Sequence, residues 1–145
     1  MMEEEYSRAD VVGVYRVSVA GEDLYAVVLS CEGWESTVLP IFIGQFEAVA
    51  IQSALEGVRM RRPMTHDLIA NILDAVGVSV EKVTIDALVD NLFTATIVLK
   101  DGGGRRWHID ARPSDSIAIA LRTSSPIYVA DRLREYGIPA EDLAS

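Results

Sequence analysis

Apolar and polar residues alternate from Val11 to Val19, with Val11, Tyr15, Val17 and Val19 on one side of a period of two, which predicts a β-strand. Ala20-Gly21-Glu22-Asp23 is turn chemistry, and Leu24 to Cys31 is rich enough in β-formers to pair back as a hairpin. Thr37 to Ile43 reads as a third strand, with Pro40 confining it to an edge or a bulge. At Gly44 the period changes. Phe46, Val49, Ala50, Ser53 and Ala54 recur at helical spacing, so a helix is expected over Gln45 to Glu56, stopped by Gly57.

A second helix follows, with Thr65 as its N-cap, His66 and Asp67 in its first turn, and Leu68, Ile69, Ile72, Leu73 and Val76 as one apolar stripe. Val78 to Leu88, Leu92 to Lys100 and Arg105 to Ala111 read as three successive antiparallel strands, turned at Asp90-Asn91 and at Asp101-Gly102-Gly103-Gly104. Pro113 suits the first turn of a helix over Ser114 to Thr123. Pro126 to Val129 is a short strand, and Ala130 to Tyr136 a last helix ended by Gly137. Hairpins interleaved with single helices predict an α+β fold: a mixed, largely antiparallel sheet with three to four helices packed on it. The expected organisation is an acidic tail over residues 1–10, one domain over 11–137 and a short tail over 138–145, with no internal repeat.

Composition narrows the function. A chain of 145 residues that is 50% hydrophobic has the size of one domain with one core. No stretch of 18 apolar residues exists, and Met1-Met2-Glu3-Glu4-Glu5 has the wrong charge for a secretory signal, so a cytoplasmic protein without membrane attachment is expected. Cys31, the single cysteine, lies in an apolar alternating run and reads as a small buried hydrophobe. The net charge of −9 argues against a protein coated in cations. Its basic residues are nonetheless clustered, at Arg59, Arg61 and Arg62 and again at Arg105, Arg106 and Arg112. There is no Walker loop, no Gly-x-Gly-x-x-Gly, no His-Glu-x-x-His and no Cys-x-x-Cys, which excludes the usual nucleotide and zinc sites.

Three blocks carry a resemblance: Leu39-Pro40-Ile41-Phe42-Ile43-Gly44-Gln45-Phe46-Glu47-Ala48, Arg62-Pro63-Met64-Thr65-His66-Asp67-Leu68, and Asp110-Ala111-Arg112-Pro113-Ser114-Asp115-Ser116-Ile117-Ala118. In this order and spacing they resemble the signatures of the bifunctional nuclease domain family, over roughly Val11 to Leu133. The resemblance implies a compact domain of helices and sheet that assembles into oligomers and degrades both DNA and RNA. The connection at Asp101 to Gly104 is shorter than the acidic loop such domains can carry, and no accessory domain is expected beyond Ser145.

The side chains allow that chemistry. Hydrolysis of a phosphodiester needs a clamp on the phosphate, an activated water and usually a divalent cation held by carboxylates. Asp110 and Asp115 are expected to hold Mg²⁺ or Mn²⁺. Arg112 and Arg62, with the Thr65 and Ser114 hydroxyls, are expected to bind phosphate, and His66 with Asp67 to move protons. The same residues have structural readings: Thr65, Ser114 and Asp115 as caps, Asp67 as a charge favoured by the helix dipole, Arg112 as a pin to Asp110 or Asp115. Glu47 reads as a surface acid and His108 as facing solvent or an interface. A second function class stays open, a non-catalytic oligomeric module that recognises an anion or a partner protein through these loops. Oligomers are also expected from a mean hydropathy of +0.21 and the apolar edge at Leu39 to Ile43.

Overall fold

Turn residues set the pairing. At Ala20-Gly21 and at Asp90-Asn91 both central residues have positive φ, the type I′ geometry whose twist matches antiparallel strands. In the computed structural model, which describes residues 5–144, these turns join β1 (Tyr6–Val19) to β2 (Glu22–Cys31) and β4 (Val78–Val89) to β5 (Leu92–Asp101). Each hairpin gains a third strand, β3 (Thr37–Ile43) or β6 (Arg106–Ala111), and then enters a helix, α1 (Gln45–Glu56) or α3 (Pro113–Thr123). Strand, strand, strand, helix therefore occurs twice. No sequence repeat announces it, because the two units share an order of elements and not a residue pattern.

One sheet contains both meanders, in the order β6-β5-β4-β7-β1-β2-β3-β8, where β7 is Ile127–Ala130 and β8 is Ile138–Pro139. β7 joins the halves, antiparallel to β1 and parallel to β4; every other neighbouring pair is antiparallel. The α+β expectation holds. α3 packs on β4 and β5 and also meets α1 and α2 (Thr65–Ala75). Being enclosed on several sides, it buries Ser116, Ile117, Ala118, Ile119 and Ala120 rather than one stripe. Its small residues let the neighbouring helices approach. Leu29, Leu39, Ile51, Ile85 and Ile117 are fully buried, each contributing roughly 1.5–3 kcal/mol of transfer free energy.

Several boundaries move. β1 begins at Tyr6 rather than Val11, so half of the expected acidic tail is strand and pairs with β7. Ala9 and Val11 face the core while Arg8 and Asp10 face out, and those outward charges disguise the strand. The expected C-terminal tail supplies β8 and a 3₁₀ turn, Ala140–Ala144, and the last predicted helix is a 3₁₀ helix, Asp131–Tyr136. Met64, not Thr65, is the N-cap of α2. The apolar stripe of α2 is split, with Ile69 and Leu73 half-buried but Leu68, Ile72 and Val76 exposed. Pro40 does lie near an edge, beyond the two residues of β3 that β8 covers. Cys31 is buried, and burial, with Asp131 and Asp10 nearby, pushes its thiol up to about 12, so it stays an inert hydrophobe. No helix among the described residues is long and apolar enough to cross a membrane.

Candidate functional site

Arg112 ends one strand and starts one helix. Pro113 disfavours helical backbone at the residue before it, and Arg112 is extended, with φ −72° and ψ 148°. The chain therefore turns sharply from β6 into α3, and Asp115, the third helical residue, folds back over the turn. Arg112 donates to it twice, Nε to Oδ2 at 2.8 Å and Nη2 to Oδ1 at 3.1 Å. His66, from the first turn of α2, sets its Nε2 2.9 Å from Asp115 Oδ1. Glu47 approaches from α1, its Oε2 lying 3.8 Å from Arg112 Nη2. Glu47 also folds over Gly44, where a Cβ would collide with its carboxylate. Gly44 thus clears the place that Glu47 takes.

Burial pushes the Asp115 carboxyl upward, but the hydrogen bonds from Arg112 and His66 outweigh it and hold the group below the usual carboxylate range. An ionised Asp115 only accepts, so the tautomer assigned to His66 carries its hydrogen on Nε2 and a lone pair on Nδ1. Nδ1 makes no hydrogen bond with the described residues, and no buried side-chain nitrogen or oxygen among them lacks a partner, so solvent reaches it. Buried His66 has one nitrogen anchored and one available.

The cluster forms the polar rim of a cleft of about 690 Å³ between α1, α2, β5 and β6. Its wall is apolar, built from Phe46, Val49, Ile69, Ile97, Leu99 and Ile109.

The expected residues divide. His66, Arg112 and Asp115 come together, and Thr65 lies exposed at the same cleft. Asp67 faces elsewhere: its Oδ2 accepts the Met64 N–H at 2.9 Å and its Oδ1 accepts Arg122 Nε at 2.7 Å. Burial opposes ionisation of Asp67, yet the Met64 N–H and Arg122 prevail and lower it. Arg62 is exposed in the connection between α1 and α2 and forms no ion pair among the described residues. Ser114 is buried and borders a different hollow. His108 is exposed on the face of the sheet turned away from α3.

Asp110 is parted from Asp115 by the pleat. Ile109 pairs with Ile97 on the side of α3, whereas Asp110 pairs with Thr96, whose hydroxyl bonds Asp86 on the opposite face. Alternation therefore directs the Asp110 side chain away from Asp115, although the residue borders the cleft. Among the described residues no three His, Cys, Asp or Glu side chains gather as metal ligands. The oxygens of Asp115 are already engaged by Arg112 and His66. The expected Asp110–Asp115 ligand pair does not fit this arrangement.

Two further residues belong to this arrangement. Glu47, expected as a surface acid, holds the third position of α1 as Asp115 does of α3, and that shared place after a strand is the signal the sequence carries for it. Arg122, in the last turn of α3, carries no motif that marks it in the sequence. It is 9% exposed and bonds Asp67, the Ala118 carbonyl and Ser53 Oγ, linking all three helices around the cleft.

Comparison with known proteins agrees with the three signature blocks. The bifunctional nuclease domain model matches residues 27–140. An uncharacterized protein of Mycobacterium tuberculosis is 44% identical over 105 residues, 72% of this chain and 62% of that protein. Bifunctional nuclease 2 of Oryza sativa subsp. japonica is 32% identical over 106 residues, 72% of this chain and 33% of that protein. Bifunctional nuclease 2 of Arabidopsis thaliana is 30% identical over 106 residues, 72% of this chain and 32% of that protein. The chain thus spans 62% of the mycobacterial relative's length and about a third of each plant relative's. The matched region contains Glu47, His66, Arg112 and Asp115, and the chain belongs to the bifunctional nuclease domain family.

Proposed function

We propose that this domain hydrolyses phosphodiester bonds in nucleic acid at the His66–Asp115–Arg112 cluster. The observation that carries the reading is Asp115 accepting from both His66 and Arg112, which puts a proton acceptor and an anion clamp side by side at the mouth of a cleft. Arg112 is 64% exposed and bonds Asp115 through Nε and Nη2, so Nη1 keeps both N–H groups for a phosphate oxygen. Water attacks phosphorus and loses its proton to His66 Nδ1; the P–O bond to the leaving oxygen breaks, and that oxygen takes a proton from solvent. Asp115 stabilises the imidazolium, and Arg112 the charge gathering on the phosphate. The 2′-hydroxyl has no part in this route, so DNA and RNA are both substrates. In this route the proton moves through His66 and the charge is met by Arg112, without Asp110, which pairs with Thr96 on β5.

The reading includes self-association. Leu68, Ile72 and Val76 are 52%, 53% and 66% exposed and recur every four residues along α2, an apolar strip suited to a second copy of the chain. The apolar wall of the cleft favours one other reading, an anion- or partner-binding module that does not cleave. Degradation of labelled single-stranded DNA and RNA by identically purified wild type, His66→Gln and Arg112→Gln separates the two. Hydrolysis predicts losses of at least about tenfold, or 1.4 kcal/mol, in each variant. Equal rates in all three preparations leave the binding module.

A further inference from the structure

Arg112 and Glu47 border two hollows at once. On one side lies the cleft already described, with Phe46 at 82% exposure; on the other lies a hollow of about 320 Å³ edged by Phe42, Leu92, Phe93 and Ser114. Phe42 and Leu92 are 64% and 71% exposed. An anion clamp thus stands between two apolar recesses, each with a bare aromatic ring and each at least as large as the smallest ligand pockets. A duplex presents its phosphates and hides the faces of its bases, so it would leave both recesses empty. A strand of unpaired nucleotides presents what this surface lacks, a phosphate with an aromatic plane on either side.

We infer that Arg112 is the midpoint of a channel for an unpaired nucleic-acid strand, with one base beside Phe46 and the next, across the bound phosphate, beside Phe42 and Leu92. The inference rests on the hydrolytic reading of the cluster and adds to it the form of the substrate. Charge agrees with this occupant: although Glu47, Asp110 and Asp115 border the cleft, Arg59, Arg61 and Arg62 are exposed in the connection that leads to Met64 at its edge and form no ion pair among the described residues, so their guanidiniums are open to the phosphates of a strand that runs on past Arg112. A site with a base pocket on each side of the reacting phosphate accepts linkages within a chain, and a strand without ends is a substrate.

The test is fluorescence anisotropy at about 50 mM salt, where phosphate contacts are strong, with a labelled thymidine strand of about nine nucleotides. The same backbone without bases and a blunt hairpin duplex serve as competing probes. Wild type is expected to bind the strand at least about tenfold tighter than either. Phe46→Ala and Phe42→Ala are each expected to weaken it several-fold without changing the melting temperature, since both rings are exposed. A closed circular single strand is expected to be cut as fast as a linear one. Equal affinity for the base-free strand or the duplex overturns the channel. An effect of only one phenylalanine, or a circle that resists while the linear strand is cut, reduces it to an end-binding pocket and overturns it as well. If the strand binds as expected but cleavage ignores Asp115→Ala, the channel stands and the hydrolytic reading falls. If cleavage follows Asp115 while both phenylalanine variants bind as wild type, the hydrolytic reading stands and the channel falls.

Discussion

Glu47 and Asp115 hold the same place in two helices: each is the third residue after a strand-to-helix turn, and both carboxylates reach Arg112. They differ in grip, 3.8 Å for Glu47 against a bidentate 2.8 and 3.1 Å for Asp115. Glu47 keeps its position because Gly44 has no Cβ. Gly44 has φ −74°, which alanine adopts without strain, and the colliding atom is the end of a flexible side chain. Gly44→Ala is therefore expected to leave stability within about 0.5 kcal/mol, yet to lower kcat/KM for strand cleavage by the same few-fold factor as Glu47→Gln. A Gly44→Ala protein as active as wild type would remove Glu47 from the cluster.

The two aspartates of the third signature block separate into different roles. Asp115→Ala breaks the contacts of both His66 and Arg112, and a loss of at least about tenfold in kcat is expected. Asp110→Ala changes a side chain directed to the other face of the sheet, and activity within about twofold of wild type is expected, with the same response to chelator. Matched losses in the two variants, accompanied by matched loss of Mg²⁺ or Mn²⁺ dependence, would show that they act as one ligand pair.

Acid should undo the helix contacts in a defined direction. Asp115 and Asp67 are both held below their usual range, so the unfolded chain binds protons more readily than the folded one. Their stabilisation is fully present above the unfolded carboxyl value of about 4 and disappears as pH falls through the lower folded values. The urea midpoint of wild type is expected to drop steeply below about pH 4, and Asp115→Asn and Asp67→Asn should each flatten that slope. An unchanged slope in both variants would mean that other carboxylates govern it.

Self-association is tested on the exposed strip of α2. Wild type is expected to scatter light with a mass at least double the 15.9 kDa subunit at micromolar concentration, and Ile72→Lys to return it to one subunit with its circular dichroism unchanged. A wild-type mass of one subunit across that range would refute the assembly.

Much of the fold is legible because its punctuation is local. Gly44 and Gly57 bound α1 where the change of period puts them, and Asp90-Asn91 alone demands a tight hairpin. The start of β1 was hidden because Tyr6, Arg8 and Asp10 put polar groups on its outward side, and the parallel pairing of β7 with β4 was hidden because no local signal encodes it. The site was legible as to residue type but not as to direction. Asp110 lies between Ile109 and Ala111, two residues that face the core side, so simple alternation already sent it to the other face; density of acids along six residues is no measure of proximity across a pleat. Arg122 was invisible for another reason. Its partner, Asp67, is distant in sequence, and only the crossing of α2 over α3 joins them.

That crossing yields the sharpest energetic expectation. The first turn of α2 lies along α3, with His66 on Asp115 near one end and Asp67 on Arg122 two turns later. The pair is unevenly buried, Arg122 at 9% exposure and Asp67 at 38%. Arg122→Met leaves a carboxylate that keeps the Met64 N–H and meets water, at a cost of about 1–2 kcal/mol. Asp67→Ala leaves a guanidinium enclosed by Ser53 and the Ala118 carbonyl without its counter-charge, and should cost more, about 3 kcal/mol, near the low end for a stranded buried charge because water enters where Asp67 was. Urea unfolding of the two single variants and the double variant measures the asymmetry. The double variant should be more stable than Asp67→Ala alone, since it removes the charge that the single change abandons. If Asp67→Ala costs no more than Arg122→Met, the guanidinium is hydrated in solution, α2 is looser on α3 than the contacts here, and the hold on His66 must come from Asp115 alone.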